Sequence, residues 1–203
     1  MSVYQLKPWF QGVLRPLVVR LYNNGVTANQ VTVTACVASI VVGAVLCLPG
    51  TPRYWFAAIP LWMLIRMALN AVDGMLAREF GQKSPLGAYL NELTDVVSDA
   101  ALYLPLAFVA PFSPWWVAFV ILLAALSELA GVLGTTVGAS RRYDGPMGKS
   151  DRAFVFGVLG LVVSIVTSLP LWLAWLMPLL ALAIALTIVN RIRAGLAELA
   201  HKI

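Results

Sequence analysis

The chain has 203 residues, of which 61% are hydrophobic and 11% are charged, and its formal net charge is +5. Soluble domains carry about 25% charged residues. The composition therefore excludes an ordinary water-soluble domain and predicts a polytopic membrane protein. The length predicts one domain, residues 1–203. The N-terminus lacks a short apolar stretch followed by a small-residue cleavage site, so we expect no signal peptide.

The first predicted element, residues 3–22, mixes aromatic and leucine side chains with basic residues such as Arg15, and it contains Pro8 and Pro16. This pattern predicts an amphipathic helix that lies on the membrane surface and is broken near Pro16. A seventh, poorly formed membrane span is the alternative, but its apolar stretch is short.

Six further segments are apolar enough to cross a bilayer, for which about 20 apolar residues are needed. They are residues 29–48, 54–80, 85–110, 114–138, 151–168 and 170–194. The sequence therefore predicts an all-α polytopic membrane protein. Its six transmembrane helices follow the amphipathic helix and form one bundle over residues 29–194.

Basic residues accumulate on one side of this predicted bundle. That side carries Lys7, Arg15, Arg20, Arg78, Lys83, Arg141, Arg142, Lys149, Arg152, Arg191, Arg193 and Lys202. The connections on the other side carry Arg53 alone. Since cytoplasmic loops are enriched in Lys and Arg, we expect both termini to face the cytoplasm.

The segment from Asn70 to Asp95 reads NAVDGMLAREFGQKSPLGAYLNELTD and contains charges where apolar residues are expected. Charged residues within membrane spans are costly and mark candidate functional sites. Asn70 and Asp73 share one face of the second span. Asn91, Asp95 and Asp99 form a stripe on the third span. Because the connection between these spans is short, the two faces can lie opposite each other, and oxygen ligands of this kind suit Mg²⁺ or Mn²⁺.

Small and basic residues accompany these oxygen ligands. Gly74 and Ala77 lack bulk where a ligand or another helix can approach, and Arg78 can pair with a phosphate. The combination favours displacement at phosphorus, in which a metal ion neutralises a pyrophosphate and a carboxylate takes the proton of an attacking alcohol. The alternative is a structural role for Asp73 and Asp95 as partners of neighbouring arginines.

The segment resembles the signature of the CDP-alcohol phosphotransferase family, D-x-x-D-G-x-x-A-R, eight residues, then G-x-x-x-D-x-x-x-D. The resemblance implies an enzyme that moves a phosphatidyl group from CDP-diacylglycerol or a similar CDP-alcohol to an acceptor alcohol and releases CMP. It implies metal-ligand positions at Asn70, Asp73, Asn91 and Asp95, a catalytic base at Asp95, and nucleotide contacts at Gly74, Ala77, Arg78 and Gly87. It also implies a homodimer in a bacterial inner membrane, with lipids and not nucleic acid as partners.

Asn70 and Asn91 replace two of the four aspartates of that signature. A neutral amide oxygen can coordinate a metal ion but adds no charge. Two aspartates and two asparagines balance about one divalent ion, whereas four aspartates can hold a close pair. Asp99, one turn beyond Asp95, is predicted to supply a third carboxylate, and Glu92 is a further candidate. A one-ion site, a weakened two-ion site and an inactive member that binds CDP-lipid or scaffolds a partner enzyme all stay open.

Two other segments match the family more loosely. GVTANQVTV, residues 25–33, has Ala28 where the family pattern has proline, and Thr27 or Asn29 can cap the following helix. In SRRYDGPMGKSDRA, residues 140–153, the basic residues Lys149 and Arg152 are predicted to hold a phosphate. Topogenic charge that contacts anionic lipids is the alternative role for this loop.

Glu128, within the fourth predicted span, needs a partner in the bundle, and Arg66 is a candidate. A transporter would show inverted repeats or broken midplane helices, and the sequence shows neither.

Overall fold

A computed structural model of the chain describes residues 3–201, and this part is all-helical without β-strands. Its seven α-helices are α1 (Val3–Asn23), α2 (Ala28–Leu46), α3 (Ala58–Glu79), α4 (Pro85–Tyr103), α5 (Pro114–Thr136), α6 (Lys149–Ile165) and α7 (Leu176–Ala200). Short 3₁₀ turns occupy Arg53–Ala57, Leu104–Phe108 and Leu171–Trp175. The all-α prediction is confirmed. Lys202 lies outside the described residues, as does the side chain of Lys7.

Each of the six predicted spans contains most of one helix, α2 to α7, although the span predicted over 85–110 runs past the end of α4 at Tyr103 into a 3₁₀ turn. Four segments are long and apolar enough by themselves to cross a membrane: Ala28–Leu46, Arg53–Glu79, Pro114–Thr136 and Leu171–Ala200. The other two helices differ in physical ways, since α4 carries three acidic residues and α6 is 17 residues long. Four spans therefore have support from length and composition, and crossings by α4 and α6 stay predictions.

The first helix, α1, is continuous from Val3 to Asn23, so the predicted break near Pro16 is wrong. A proline inside a helix removes one backbone hydrogen bond and crowds the carbonyl four residues earlier. Packing stabilises the helix on both sides of this defect, because Val18 is fully buried against Val72 and Leu76 of α3. The position of α1 on the membrane surface stays a prediction.

Glycines allow close helix crossings in the bundle. A Cβ at Gly43 of α2 would overlap the carbonyl of Ala101 in α4, and one at Gly160 of α6 would lie 2.8 Å from the Ile59 side chain of α3. Helices in membranes pack closely at such small residues. α2 packs on both α3 and α4, α6 packs on α3, and α5 packs on α7 and on α4.

The starts of α2 and α4 lie at one end of this bundle and are fixed by local caps. Thr27 accepts a hydrogen bond from the Gln30 backbone N–H at 3.2 Å, and the Gln30 side chain accepts one from the Thr27 N–H at 2.9 Å. Ser84 accepts a hydrogen bond from the Gly87 N–H at 3.0 Å, and Pro85 follows it. Both arrangements satisfy N-terminal N–H groups that a helix leaves unpaired. The prediction of Thr27 as a cap is confirmed.

Candidate functional site

A cavity of about 600 Å³ opens at the end of the bundle where α3 ends and where α2 and α4 begin. Six of the site residues predicted from the sequence line it: Asp73, Gly74, Ala77, Arg78, Gly87 and Asn91. The short loop between α3 and α4 brings these two helical faces together, as their spacing indicates. Asn29 and Thr32 of α2 complete the wall on the third side.

Glycine leaves room for neighbouring polar side chains at two points of the cavity wall. A Cβ at Gly74 would lie 2.7 Å from a guanidinium nitrogen of Arg78, and one at Gly87 would lie 2.9 Å from the Asn29 side-chain oxygen. Gly74 therefore lets the Arg78 side chain lie along α3. Arg78 forms no salt bridge among the residues that the structure describes. Its charge is thus available for an anionic ligand in the cavity.

Asp73 is the buried carboxylate of this cavity, with 7% of the residue exposed. Thr32 donates a hydrogen bond to its Oδ2 at 2.7 Å. No basic side chain of the described chain forms a salt bridge with Asp73. A buried charge without a cationic partner is costly, so a cation bound in the cavity would stabilise Asp73.

Asp95 has a different environment, one turn further into the bundle than Asn91. Its Oδ1 accepts hydrogen bonds from Nη2 of Arg66 at 2.9 Å and from the Asn70 amide at 3.4 Å. Its Oδ2 forms an ion pair with Nζ of Lys149, the first residue of α6. Neither Asp95 nor Asn70 lines the cavity. Both oxygens of Asp95 therefore already have donors, and two of these donors are cationic.

Asp99 and Arg152 lie deeper still, within a network of buried charges. Asp99 accepts a hydrogen bond from Nη1 of Arg66 at 2.6 Å and lies 3.7 Å from Nη2 of Arg152. Arg152 is 1% exposed and donates to Glu128 at 2.8 Å. The predicted phosphate ligand Arg152 thus has internal carboxylate partners.

The prediction that Arg66 pairs with Glu128 is wrong. Arg66 pairs with the two aspartates of α4, whereas Glu128 of α5 pairs with Arg152 of α6 and lies 3.4 Å from Arg191 of α7. The Arg66 side chain extends from α3 to the carboxylates of α4, whereas Glu128 lies on α5 within reach of α6 and α7. The helical spacing of Arg66 from Asn70 and Asp73 places the three residues on one face of α3 but does not identify the partner helix.

The loop between α5 and α6 is tied to neighbouring helices. Arg141 forms an ion pair with Glu92, which lines the cavity, so Glu92 also has a basic partner. Arg142 donates to both carboxylate oxygens of Asp144, at 2.9 and 3.0 Å, and this hydrogen-bonded pairing lowers the pKa of Asp144. Arg142 also lies 3.0 Å from Glu198 of α7. These contacts hold the loop beside the cavity.

The donors around the cavity fit a divalent cation only in part. Among the described residues, no group of three or more His, Cys, Asp or Glu side chains could hold a metal ion. Asp73 and Asn91 nevertheless present a carboxylate and an amide to the same cavity, and hard divalent cations bind such oxygen ligands. The fit is therefore to an ion at Asp73, with Asn91 on the facing helix.

The fold and the site define an all-helical protein of membrane type, with acidic, basic and amide side chains around a cavity at one end of the bundle. The chain belongs to the CDP-alcohol phosphatidyltransferase family, whose sequence profile matches residues 25–189. This membership confirms the resemblance found in the signature between Asn70 and Asp95.

Relatives and solved structures agree with this assignment. The chain is 44% identical to the inner membrane protein YnbA of Escherichia coli K12 over 199 residues, which are 97% of each chain. It is 28% identical to the phosphatidylinositol phosphate synthase of Mycolicibacterium smegmatis over 186 residues, 89% of this chain and 82% of the relative.

Two crystal structures of the phosphatidylinositol phosphate synthase PgsA1 of Mycobacterium tuberculosis share the fold. The structure with CDP-DAG bound has a TM-score of 0.72 and 23% identity, over 89% of this chain and 92% of that one. The structure in complex with manganese and citrate also has a TM-score of 0.72 and 23% identity, over 89% and 87%.

Proposed function

We propose that this protein is a phosphatidyltransferase of the bacterial inner membrane. It moves the phosphatidyl group of CDP-diacylglycerol, or of a similar CDP-alcohol, to an acceptor alcohol and releases CMP. The observation that carries this proposal is the cavity in which Asp73, Arg78 and Asn91 meet around a glycine-bearing wall. The matched profile, the CDP-DAG-bound PgsA1 structure and the synthase relatives support it.

The nucleotide end of the donor lies in the cavity in this proposal. Arg78, which has no described acidic partner, pairs with the pyrophosphate, because a guanidinium matches phosphate oxygens in charge and geometry. Gly74, Ala77 and Gly87 leave space along the helices for the nucleotide. The diacylglycerol chains extend toward the lipid, where large apolar side chains of the helices are exposed.

A divalent ion, Mg²⁺ or Mn²⁺, is the proposed cofactor, and the manganese complex of PgsA1 supports this choice. Asp73 and Asn91 would hold it, whereas the other predicted metal-ligand positions, Asn70, Asp95 and Asp99, lie outside the cavity lining. When bound, such an ion neutralises pyrophosphate oxygens and assists the departure of the leaving group.

Asp95 is the proposed general base. Its carboxylate accepts the hydroxyl proton of the acceptor while the alcohol oxygen bonds to the phosphatidyl phosphorus and the bond from that phosphorus to CMP breaks. Arg66 and Lys149 fix the orientation of this carboxylate through its two oxygens. Such positioning of a catalytic group lowers the entropic part of the barrier.

In this proposal the protein is a homodimer in which each chain forms one membrane domain. The cavity and both termini lie on the cytoplasmic side. The orientation rests on the basic residues of the loops at the cavity end, among them Arg78, Lys83 and Arg141. Arg66 and Lys149, the basic side chains that contact Asp95, pair with its carboxylate, so the identity of the acceptor alcohol does not follow from them.

The test is an acceptor screen with the purified protein in lipid nanodiscs. Labelled CDP-diacylglycerol, Mg²⁺ or Mn²⁺ and single alcohols with and without a phosphate are incubated, and CMP and new phospholipid are measured. We expect CMP release that requires one of the acceptors and that stops on chelation of the metal ion. Tight binding of CDP-diacylglycerol without CMP release for every acceptor would instead identify an inactive, lipid-binding member of the family.

A further inference from the structure

Both carboxylate oxygens of Asp95 contact cationic groups, one a guanidinium and the other an ammonium. A metal ion would need one of these oxygens to be free. Nζ of Lys149 contacts Oδ2 of Asp95, and Nη2 of Arg66 lies 2.9 Å from its Oδ1. The side chain of Asp95 is 18% exposed and that of Arg66 is 7% exposed, so water screens this pairing only weakly. The positive charge beside Asp95 is thus supplied by the chain itself.

Asn70 is the second element of this arrangement. Its Nδ2 lies 3.4 Å from Oδ1 of Asp95, and a carboxylate only accepts hydrogen bonds, so the amide must present its N–H group. An aspartate at position 70 would bring two carboxylates to this distance, and such a pair needs a further cation between its members or a bound proton. With asparagine in this place, Arg66 and Lys149 are sufficient.

The Asp73 side of the site has the opposite character. Asp73 accepts a hydrogen bond from Thr32, has no salt bridge to a described basic side chain, and lines the cavity with Asn91. Its negative charge is therefore left for a ligand from solution. The two signature aspartates that remain therefore differ: Asp95 is neutralised by basic side chains of the chain itself, whereas Asp73 is open to the cavity.

We propose that Lys149, supported by Arg66, takes the place of one of two divalent cations, so that the chain binds a single divalent ion, at Asp73. This inference rests on the proposed function only for the use of a divalent ion in the reaction. The lysine ammonium is a compact point charge, and from the first turn of α6 it reaches Asp95 across the bundle. The replacement of Asn70 and Asn91 by aspartate is then insufficient to create a second ion site while Lys149 is present.

The experiment counts Mn²⁺ ions per purified, detergent-solubilised chain by electron paramagnetic resonance and titration calorimetry. We expect one ion for the wild type and one for Asn70→Asp/Asn91→Asp. Adding Lys149→Gln to that pair removes the competing ammonium and is expected to give two ions. Adding Lys149→Arg instead keeps the positive charge and is expected to leave the count at one.

Lys83→Gln in the same aspartate background is the matched control. Lys83 lines the cavity but forms no salt bridge with Asp95, so its removal deletes a lysine charge without freeing that carboxylate, and the count should stay at one. Two ions in the wild type, or the same count with Lys149→Gln as with Lys83→Gln, would overturn the inference. Each variant must show a cooperative thermal transition to be counted, and Lys149→Met replaces Lys149→Gln if that variant does not fold.

The inference about Lys149 and the proposed function can be refuted independently of each other. Absence of CMP release with a count of one in the wild type refutes phosphatidyl transfer and leaves the role of Lys149 intact. CMP release together with two ions in the wild type refutes the role of Lys149 and leaves the transfer intact.

Discussion

Gln82, in the loop between α3 and α4, accepts a hydrogen bond from the backbone N–H of Ala28 at 2.7 Å. Ala28 is the first residue of α2 and stands where the family pattern has proline, which has no N–H. The glutamine thus satisfies a donor that proline would not present. The bond also joins the loop on one side of the cavity to the helix on the other side.

The first prediction follows from this pair. Gln82→Ala should lower the free energy of unfolding by about 1 kcal/mol, since it leaves the Ala28 N–H without its partner. In an Ala28→Pro background the donor is absent, so Gln82→Ala should have much less effect. Proline is well tolerated at the first position of a helix, and the extended backbone of Thr27, with φ −94° and ψ 154°, suits a residue before proline.

Denaturant unfolding of the four proteins in micelles measures this coupling as a double-mutant cycle. Equal destabilisation by Gln82→Ala in both backgrounds would show that the hydrogen bond to Ala28 does not carry the effect.

The sequence predicted the helices well because prolines and polar loops bound them. The helix predicted over 114–138 is Pro114–Thr136, and the one predicted over 54–80 ends at Glu79. The apolar span predicted over 170–194 ends before α7 does: the helix continues to Ala200, since its final turns are polar and Glu198 contacts the α5–α6 loop. Hydropathy describes the apolar part of a helix and not its polar extension.

The cavity could be predicted in part for a similar reason. Asp73 and Asn91 follow from helical periodicity and a short loop, which are local properties of the chain. The partners of Glu128 and Asp95 depend on which helices pack side by side, and a single sequence does not contain that information. The bond between Gln82 and Ala28 escaped prediction because no spacing rule relates the two positions.

The second prediction concerns Asp73, the open carboxylate of the cavity. Asp73→Asn should lower acceptor-dependent CMP release by roughly 1000-fold, because the loss of the charged ligand removes several kcal/mol of electrostatic stabilisation by the ion. Mn²⁺ affinity should fall in parallel. Glu79→Gln, near the end of the same helix and paired with Arg15 outside the cavity, is the control for charge removal and should retain activity. Normal Mn²⁺ affinity in Asp73→Asn would remove Asp73 from the ion site.

The third prediction is a pH dependence at the α5–α6 loop. Hydrogen bonds from Arg142 lower the pKa of Asp144 in the folded protein, so the pairing stabilises the fold above the unfolded-state pKa, about 3.9. The contribution is lost as the pH falls through the lower, folded-state pKa. The melting temperature of Asp144→Asn should therefore lie below that of the wild type at pH 7, with the difference shrinking as the pH falls below the unfolded-state pKa. A difference that persists unchanged across this range contradicts an ionic origin.

The last prediction separates two roles of Asp99. The sequence places it with the metal ligands, whereas in the structure its carboxylate pairs with Arg66 at 2.6 Å and lies 3.7 Å from Arg152. Removing one member of a buried ion pair leaves the other charge uncompensated and costs about 3–5 kcal/mol. We therefore expect Asp99→Asn to lower the unfolding free energy by an amount of this order, while Mn²⁺ affinity at Asp73 stays within about twofold of the wild type.

Thermal unfolding and Mn²⁺ titration of the same preparation distinguish the roles of Asp99. Glu128→Gln is the matched variant, because Glu128 also pairs with Arg152 but belongs to α5 and has no place in the signature. Both variants should lose stability and keep the ion. If Asp99→Asn alone loses Mn²⁺ affinity, and raised Mg²⁺ restores its CMP release, then Asp99 is a ligand and its contact with Arg66 is secondary.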